Sequence, residues 1–238
     1  MIIVPDPDAA RVALAAGQLA CPKTDCTGML RTWTRARPRR VRVAGGDSVE
    51  VTPDRGLCRS CGATEVLLPS WCLPRRAYGV EVVGATLLAA AQGGPVRAVA
   101  REARVPVSTL RAWLRAVGEA ATALTVQAVQ TATVFGDASG CWDPSGPAVA
   151  AASQVSAAVC ALGGAAAAWT RARTSRRPAG RVGTETGIDY LGLLVVEHYR
   201  ATLRRLRVAD PSGVLDRVTG WQLINVITAG RLLTSPSG

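Results

Sequence analysis

Histidine is nearly absent from this chain, and carboxylates are outnumbered by basic residues. The chain has a single histidine, His198, which falls on an apolar stripe and reads as core, so no Ser/His/Asp triad is assembled around it. Acidic residues are few, 17 Asp and Glu in all. Those in the second half include Asp137, Asp143, Asp189, Glu197, Asp210 and Asp216, and only Asp137, in Val134-Phe-Gly-Asp-Ala-Ser-Gly140, stands where a strand would deliver an acid. The Ala-rich sequence after it offers no partner strand, so the three-carboxylate, two-metal centre of a nuclease is not expected and the chain reads as a non-enzyme. The start, Met1-Ile-Ile-Val-Pro-Asp-Pro-Asp8, lacks the basic and apolar regions of a secretory signal, which points to a reducing, cytoplasmic setting. One long uncharged run lies between Asp143 and Arg171, but it is mostly Ala and Gly with Ser153, Gln154 and Ser156 inside. Such a run gains little from lipid, so a buried helix pair is expected and a membrane span is not.

What is abundant is positive charge. Lys and Arg number 28, leaving a net charge of +11, and every basic residue except Lys23 is an arginine. That imbalance points to a polyanionic partner, with nucleic acid first. Arg31, Arg35, Arg37, Arg39, Arg40 and Arg42 crowd around Trp33 and Pro38, where they would repel one another unless an anion screens them. Phosphate contact by Arg37, Arg39 and Arg40 is one reading; a solvated loop is the other.

The strongest chemical signal is sulfur. Cys21-x4-Cys26 and Cys58-x2-Cys61 form two local pairs separated by 31 residues, with Gly28 and Gly62 soon after them. Such pairs in tight turns can bring four thiolates to one tetrahedral Zn²⁺, and with no His, Asp or Glu completing an open set, the site reads as structural, one zinc per chain. Zinc would then supply much of the folding free energy of so small a β unit. Two disulfides or unrelated buried thiols are the competing account. Redox chemistry from Cys58-Arg-Ser-Cys61 lacks a thioredoxin-like context. Cys72, Cys141 and Cys160 read as small buried side chains.

Periodicity and punctuation divide the chain. Residues 1–20 read as an N-terminal helix, 21–73 as a small β zinc ribbon, and 74–118 as a three-helix, helix-turn-helix domain. An Ala-rich helical region follows at 119–170, a basic linker at 171–187 and a C-terminal helical segment at 188–238, the last with Leu191, Leu194 and Val195 on one face and a further helix from Trp221 to Ala229. The expected class is α+β, mostly α. In the middle unit helices are expected over Tyr78–Gln92, Val96–Ala103 and Val107–Val117, broken at Gly93-Gly94-Pro95 and Arg104-Val105-Pro106. Arg97, Arg101 and Arg104 make one polar stripe, and Ser108, Arg111, Ala112 and Arg115 make another. A helix of that kind can enter a DNA major groove. Val107, Ser108, Thr109, Arg111 and Ala112 are then the base-facing candidates, while Arg97, Arg101, Arg104 and Arg115 hold phosphates. An ordinary three-helix core with a solvated arginine face is the alternative.

The runs Leu57-Cys-Arg-Ser-Cys-Gly-Ala-Thr-Glu-Val-Leu-Leu-Pro-Ser-Trp71, Pro74-Arg-Arg-Ala-Tyr78 and Val105-Pro-Val-Ser-Thr-Leu-Arg-Ala-Trp113 resemble the zinc-ribbon and helix-turn-helix front ends of insertion-element transposases. With the tail Trp221-Gln-Leu-Ile-Asn-Val-Ile-Thr-Ala-Gly-Arg-Leu-Leu233 they more closely resemble a group of uncharacterised actinobacterial helix-turn-helix proteins. Such ribbons often open Cys-Pro-x-Cys, whereas here Thr24 holds that position and the second cysteine is Cys26. The resemblance implies a protein that binds double-stranded DNA near the nucleoid, as a transcriptional regulator or transposon-derived accessory factor. A homodimer through the C-terminal helices would fit palindromic sites. A protein-interaction adaptor and a degenerate transposase remain the other readings.

Overall fold

The computed structural model of the chain describes residues 1–134, 154–174, 219–228 and 230–233. Asp137, Cys141, Asp143, Asp189, Leu191, Leu194, Val195, Glu197, His198, Asp210 and Asp216, and the expected linker beyond Thr174, lie outside them.

The N-terminal stretch is more than a helix. Strand β1 (Ile2–Val4) comes first, helix α1 (Pro7–Ala15) next, and strand β2 (Leu19–Ala20) after it. α1 starts at Pro7 because Asp6 caps it, its carboxylate accepting from the Asp8 and Ala9 amides at 3.0 Å, and because proline suits a first turn whose N–H would go unused. Strands β3 (Met29–Arg35), β4 (Arg39–Arg42), β5 (Ser48–Val51), β6 (Asp54–Cys58) and β7 (Thr64–Pro69) follow.

Five strands form one mixed sheet in the order β1-β7-β6-β3-β2, with β1 parallel to β7 (Ile2 opposite Leu67, Val4 opposite Pro69) and the other pairs antiparallel. β4 and β5 pair with each other as a separate hairpin. The expected architecture, a small zinc ribbon followed by a helical domain, is therefore wrong. The β part is a five-stranded sheet that recruits the chain's first residues and carries α1. Leu14 of α1 packs with Val4, Leu19, Leu30 and Leu67, all buried. Burying that many aliphatic side chains, at about 1.5–3 kcal/mol each, gives the sheet a core of its own in addition to its cysteines.

Helices α2 (Val80–Ala91), α3 (Val96–Glu102) and α4 (Val107–Glu119) fall close to where the apolar period places them. Val83, Leu87, Val99, Ala100, Leu110, Trp113 and Val117 form their common core. The Ala-rich region supplies α5 (Ala121–Val134) and α6 (Gln154–Thr174), which pack against each other, while α6 also lies along α2 and α4. α6 presents Ala158, Ala161, Leu162 and Ala165 inward, and side chains this small let several helices approach one. The first four residues of the expected linker, 171–174, belong to α6. No helix of the described residues is long and apolar enough to cross a membrane.

Helix α7 (Gly220–Ile227) joins sheet to helices. Val226 packs with Ile3, Val41, Leu68 and Cys72, and Ile224 packs with the helical core. Buried Asn225 donates from Nδ2 to the carbonyls of Ser70 and Cys72 at 2.7 and 2.9 Å, and Arg76 donates to the Leu233 carbonyl at 2.8 Å. The apolar side of α7 is thus used within the chain.

Candidate metal centre and candidate nucleic-acid face

Two turns of the sheet meet at one end. Cys21 directly follows β2 and Cys26 precedes β3, while Cys58 closes β6 and Cys61 lies in the turn to β7. Because β3 and β6 are neighbours, with Leu30 opposite Cys58, the two turns face each other. All four Sγ atoms lie within 4.8 Å of one another, with Cys21 to Cys61 at 3.7 Å and Cys26 to Cys58 at 3.6 Å. Four sulfurs at about 2.3 Å from a tetrahedral ion stand roughly 3.8 Å apart. A disulfide needs about 2.05 Å, so the disulfide account does not describe this cluster, whose cysteines are all free thiols.

The backbone is fitted to the sulfurs. The Gly28 amide donates to Cys26 Sγ at 3.4 Å, and a Cβ on Gly28 would come within 2.7 Å of Cys58 Sγ and 2.5 Å of Ser60 Oγ. Amides of Cys61 and Ser60 pull the Cys58 thiol down to about 6 against the cost of burial. At Cys26 the Gly28 amide acts in the same direction, but burial and the neighbouring sulfurs outweigh it and push the thiol up to about 12. Burial also raises Cys21. A divalent ion bound among the four sulfurs would favour their thiolate forms. The four cysteines thus have the geometry to hold one metal ion.

Of the other cysteines, Cys72 is buried and burial pushes its thiol up to about 11, against the pull of Arg39. Cys160 is exposed on α6, contrary to the sequence expectation, and Cys141 lies outside the described residues.

A second surface lies on α3 and α4. Leu110, Trp113 and Val117 hold the inner side of α4, leaving Ser108, Arg111, Ala112 and Arg115 exposed, with Val107 and Thr109 half-buried. Arg97, Arg101 and Arg104 are exposed as well. Between Val96 and Val117 there are five arginines and one carboxylate, Glu102, and among the described residues none of the five makes an ion pair.

The basic hairpin is fastened to the same place. β4 runs beside Tyr78, with the Arg42 amide donating to Ala77 O and the Gly79 amide to Arg42 O, each at 2.8 Å. The Arg42 guanidinium lies 5.5 Å from the Tyr78 ring centre, Tyr78 meets Trp113 edge to face at 5.2 Å, and Arg42 Nη1 donates to the Arg104 carbonyl at 2.8 Å. Arg42 and Tyr78 are not among the candidate DNA contacts. Their role depends on the hairpin folding against α2 to α4, and no local pattern signals that. Of the three hairpin candidates, Arg37 and Arg40 are exposed, but Arg39 turns inward, donating to the Leu73 carbonyl at 3.1 Å beside Cys72. Arg39 therefore clamps the hairpin to the rest of the chain.

Arg104 is also conformationally unusual. α1, α2 and α3 end alike, each with two closing bonds around a left-handed residue: Gly17 at φ +66, Gly93 at φ +94 and Arg104 at φ +52. After α3 these bonds run from the Arg104 amide to Arg101 O at 3.1 Å and from the Val105 amide to Ala100 O at 2.8 Å. Glycine takes that conformation freely, whereas an L side chain strains it.

Comparison with protein-family models, curated proteins and solved structures finds no match for this chain.

Proposed function

We propose that this chain is a zinc-stabilised protein that binds double-stranded DNA, with α3 and α4 acting as a helix-turn-helix. In this reading α4 lies in the major groove. Arg111 reads guanine N7 and O6, with Ser108, Thr109, Ala112 and Val107 beside it, and Arg97, Arg101, Arg104 and Arg115 hold phosphates. Arg37 and Arg40 extend the phosphate contacts along the hairpin. Zinc is the ion expected for four thiolates with no open position; it would hold the two turns together and do no chemistry. The role that follows is a regulator or a transposon-derived accessory factor, not an enzyme.

The observation that carries this reading is the exposed side of α4, whose Arg111 and Arg115 make no ion pair among the described residues, flanked by a basic hairpin tied to the α3–α4 turn at Arg104. The strain retained at Arg104 supports it, since a left-handed position kept by arginine suggests that the side chain is used.

Mobility-shift titration on duplex DNA tests it. Six arginine-phosphate contacts give a log-log salt slope of about −5, or roughly a thousandfold loss of affinity between 50 and 200 mM salt. An Arg101→Ala/Arg111→Ala variant should bind far more weakly and lose sequence preference. Equal binding by wild type and variant would reject the proposal, and capture of a protein partner without duplex binding would favour the adaptor.

A further inference from the structure

The sheet carries a second aromatic and basic surface that the duplex-binding face does not use. β3 pairs with β2 only through Met29 and Leu30, so its remainder, Arg31 to Arg35, forms an edge beyond that short strand. A bulge interrupts its pairing with β6: Thr32 lies opposite Gly56 and Thr34 opposite Arg55, leaving Trp33 as the extra residue. Bulges of this kind re-aim side chains. Here Trp33 and Thr34 share one partner, Arg55, whose guanidinium stands 5.0 Å from the Trp33 ring centre. Arg55 is steadied by donating to Thr64 Oγ1 at 3.4 Å.

Trp33 is 52% exposed, although a tryptophan this open gains little for folding. The surrounding charge is positive. Arg31, Arg35 and Arg55 lie beside the ring in sequence or across the strand pair; Asp54, opposite Arg35, is shared between Arg35 and Arg11. A flat ring backed by a guanidinium, on an open strand edge rich in arginine, suits the stacking of an unpaired base whose phosphates the arginines attract. Paired bases in a duplex keep their faces covered and cannot use such a ring.

We propose that Trp33 and Arg55 form a stacking site for a single-stranded segment of nucleic acid, separate from the duplex-binding face of α4. The site does not rest on the duplex-binding reading. The test uses the full zinc-loaded chain and an oligothymidylate of about 15 nucleotides, followed by fluorescence anisotropy at low salt, with a DNA duplex titrated in parallel. Stacking predicts that wild type binds the oligonucleotide, that Trp33→Ala weakens it at least about tenfold, and that Trp33→Phe keeps most of the affinity. Arg111→Ala should leave oligothymidylate binding unchanged and weaken the duplex, with Trp33→Ala doing the reverse. Failure of wild type to bind the single strand, or equal binding by wild type and Trp33→Ala, would overturn the stacking site. Loss of duplex binding alone would count only against the α4 reading.

Discussion

Replacing Arg104 with glycine should make the protein more stable and a poorer DNA binder at the same time. Arg104 holds φ +52 at the end of α3, where the bonds closing the helix run through its backbone and the Arg42 guanidinium meets its carbonyl. Glycine keeps all of these. Relief of left-handed strain contributes about 1–2 kcal/mol. The greater freedom of glycine in the unfolded chain costs about 0.5–1 kcal/mol, leaving a net gain of roughly 0.5–1 kcal/mol. Loss of one phosphate contact lowers the salt slope of duplex binding by about 0.9. Arg104→Ala is the control: it removes the charge but keeps the strain, so it should reproduce the binding defect without the gain. Urea unfolding of the zinc-loaded variants, read as midpoint shifts at constant slope, gives stability, and salt titration gives binding. An Arg104→Gly protein less stable than wild type, or one with an unchanged salt slope, would refute the reasoning. Misfolding cannot mimic the predicted pair of effects, because it lowers both quantities.

Three further outcomes follow from named contacts. Asn225→Ala leaves two buried carbonyls without their donor across the sheet–helix junction and should cost about 2–4 kcal/mol in urea unfolding; a loss under about 0.5 kcal/mol would mean that α7 does not dock there. Arg39→Ala should destabilise the chain without changing the salt slope, whereas Arg40→Ala should change the slope without destabilising; the opposite pattern would reverse their assignments. Burial raises Glu81 above the ordinary carboxylate range, with the Thr219 hydroxyl that donates to it pulling the other way. A raised acid favours the folded state while protonated, so this contribution is complete below about pH 4.5 and is lost as pH rises through the folded value. Glu81→Gln should therefore flatten that part of the stability profile, and a wild-type minus variant difference that is independent of pH would contradict the assignment.

Local chemistry made part of this molecule readable in advance. The cysteine quartet was legible because both pairs sit in tight turns, where two sulfurs per turn leave few geometries. α2, α3 and α4 were legible because apolar period, Gly93-Gly94-Pro95 and Val105-Pro106 agree on their limits. The sheet was not. Ile2–Val4 is too short to announce a strand, and its partner lies beyond residue 60, so the pairing that makes this a five-stranded sheet has no local signature. α1 begins before its apolar period does, because Asp6 and Pro7 start it, and Leu19–Ala20 is strand only because β3 lies alongside. Arg39 and Arg40 are indistinguishable as neighbours in an arginine run, and only the pleat sends one inward. The same holds for α7, whose apolar residues carry no local sign of the sheet–helix brace they form.

The most direct test of the account is X-ray absorption at the zinc edge, with elemental analysis of the same purified sample. The account predicts one zinc per chain and a first shell of four sulfurs at about 2.3 Å from Cys21, Cys26, Cys58 and Cys61. A fully folded chain that carries no metal, or a shell in which nitrogen or oxygen replaces any of those sulfurs, would contradict it.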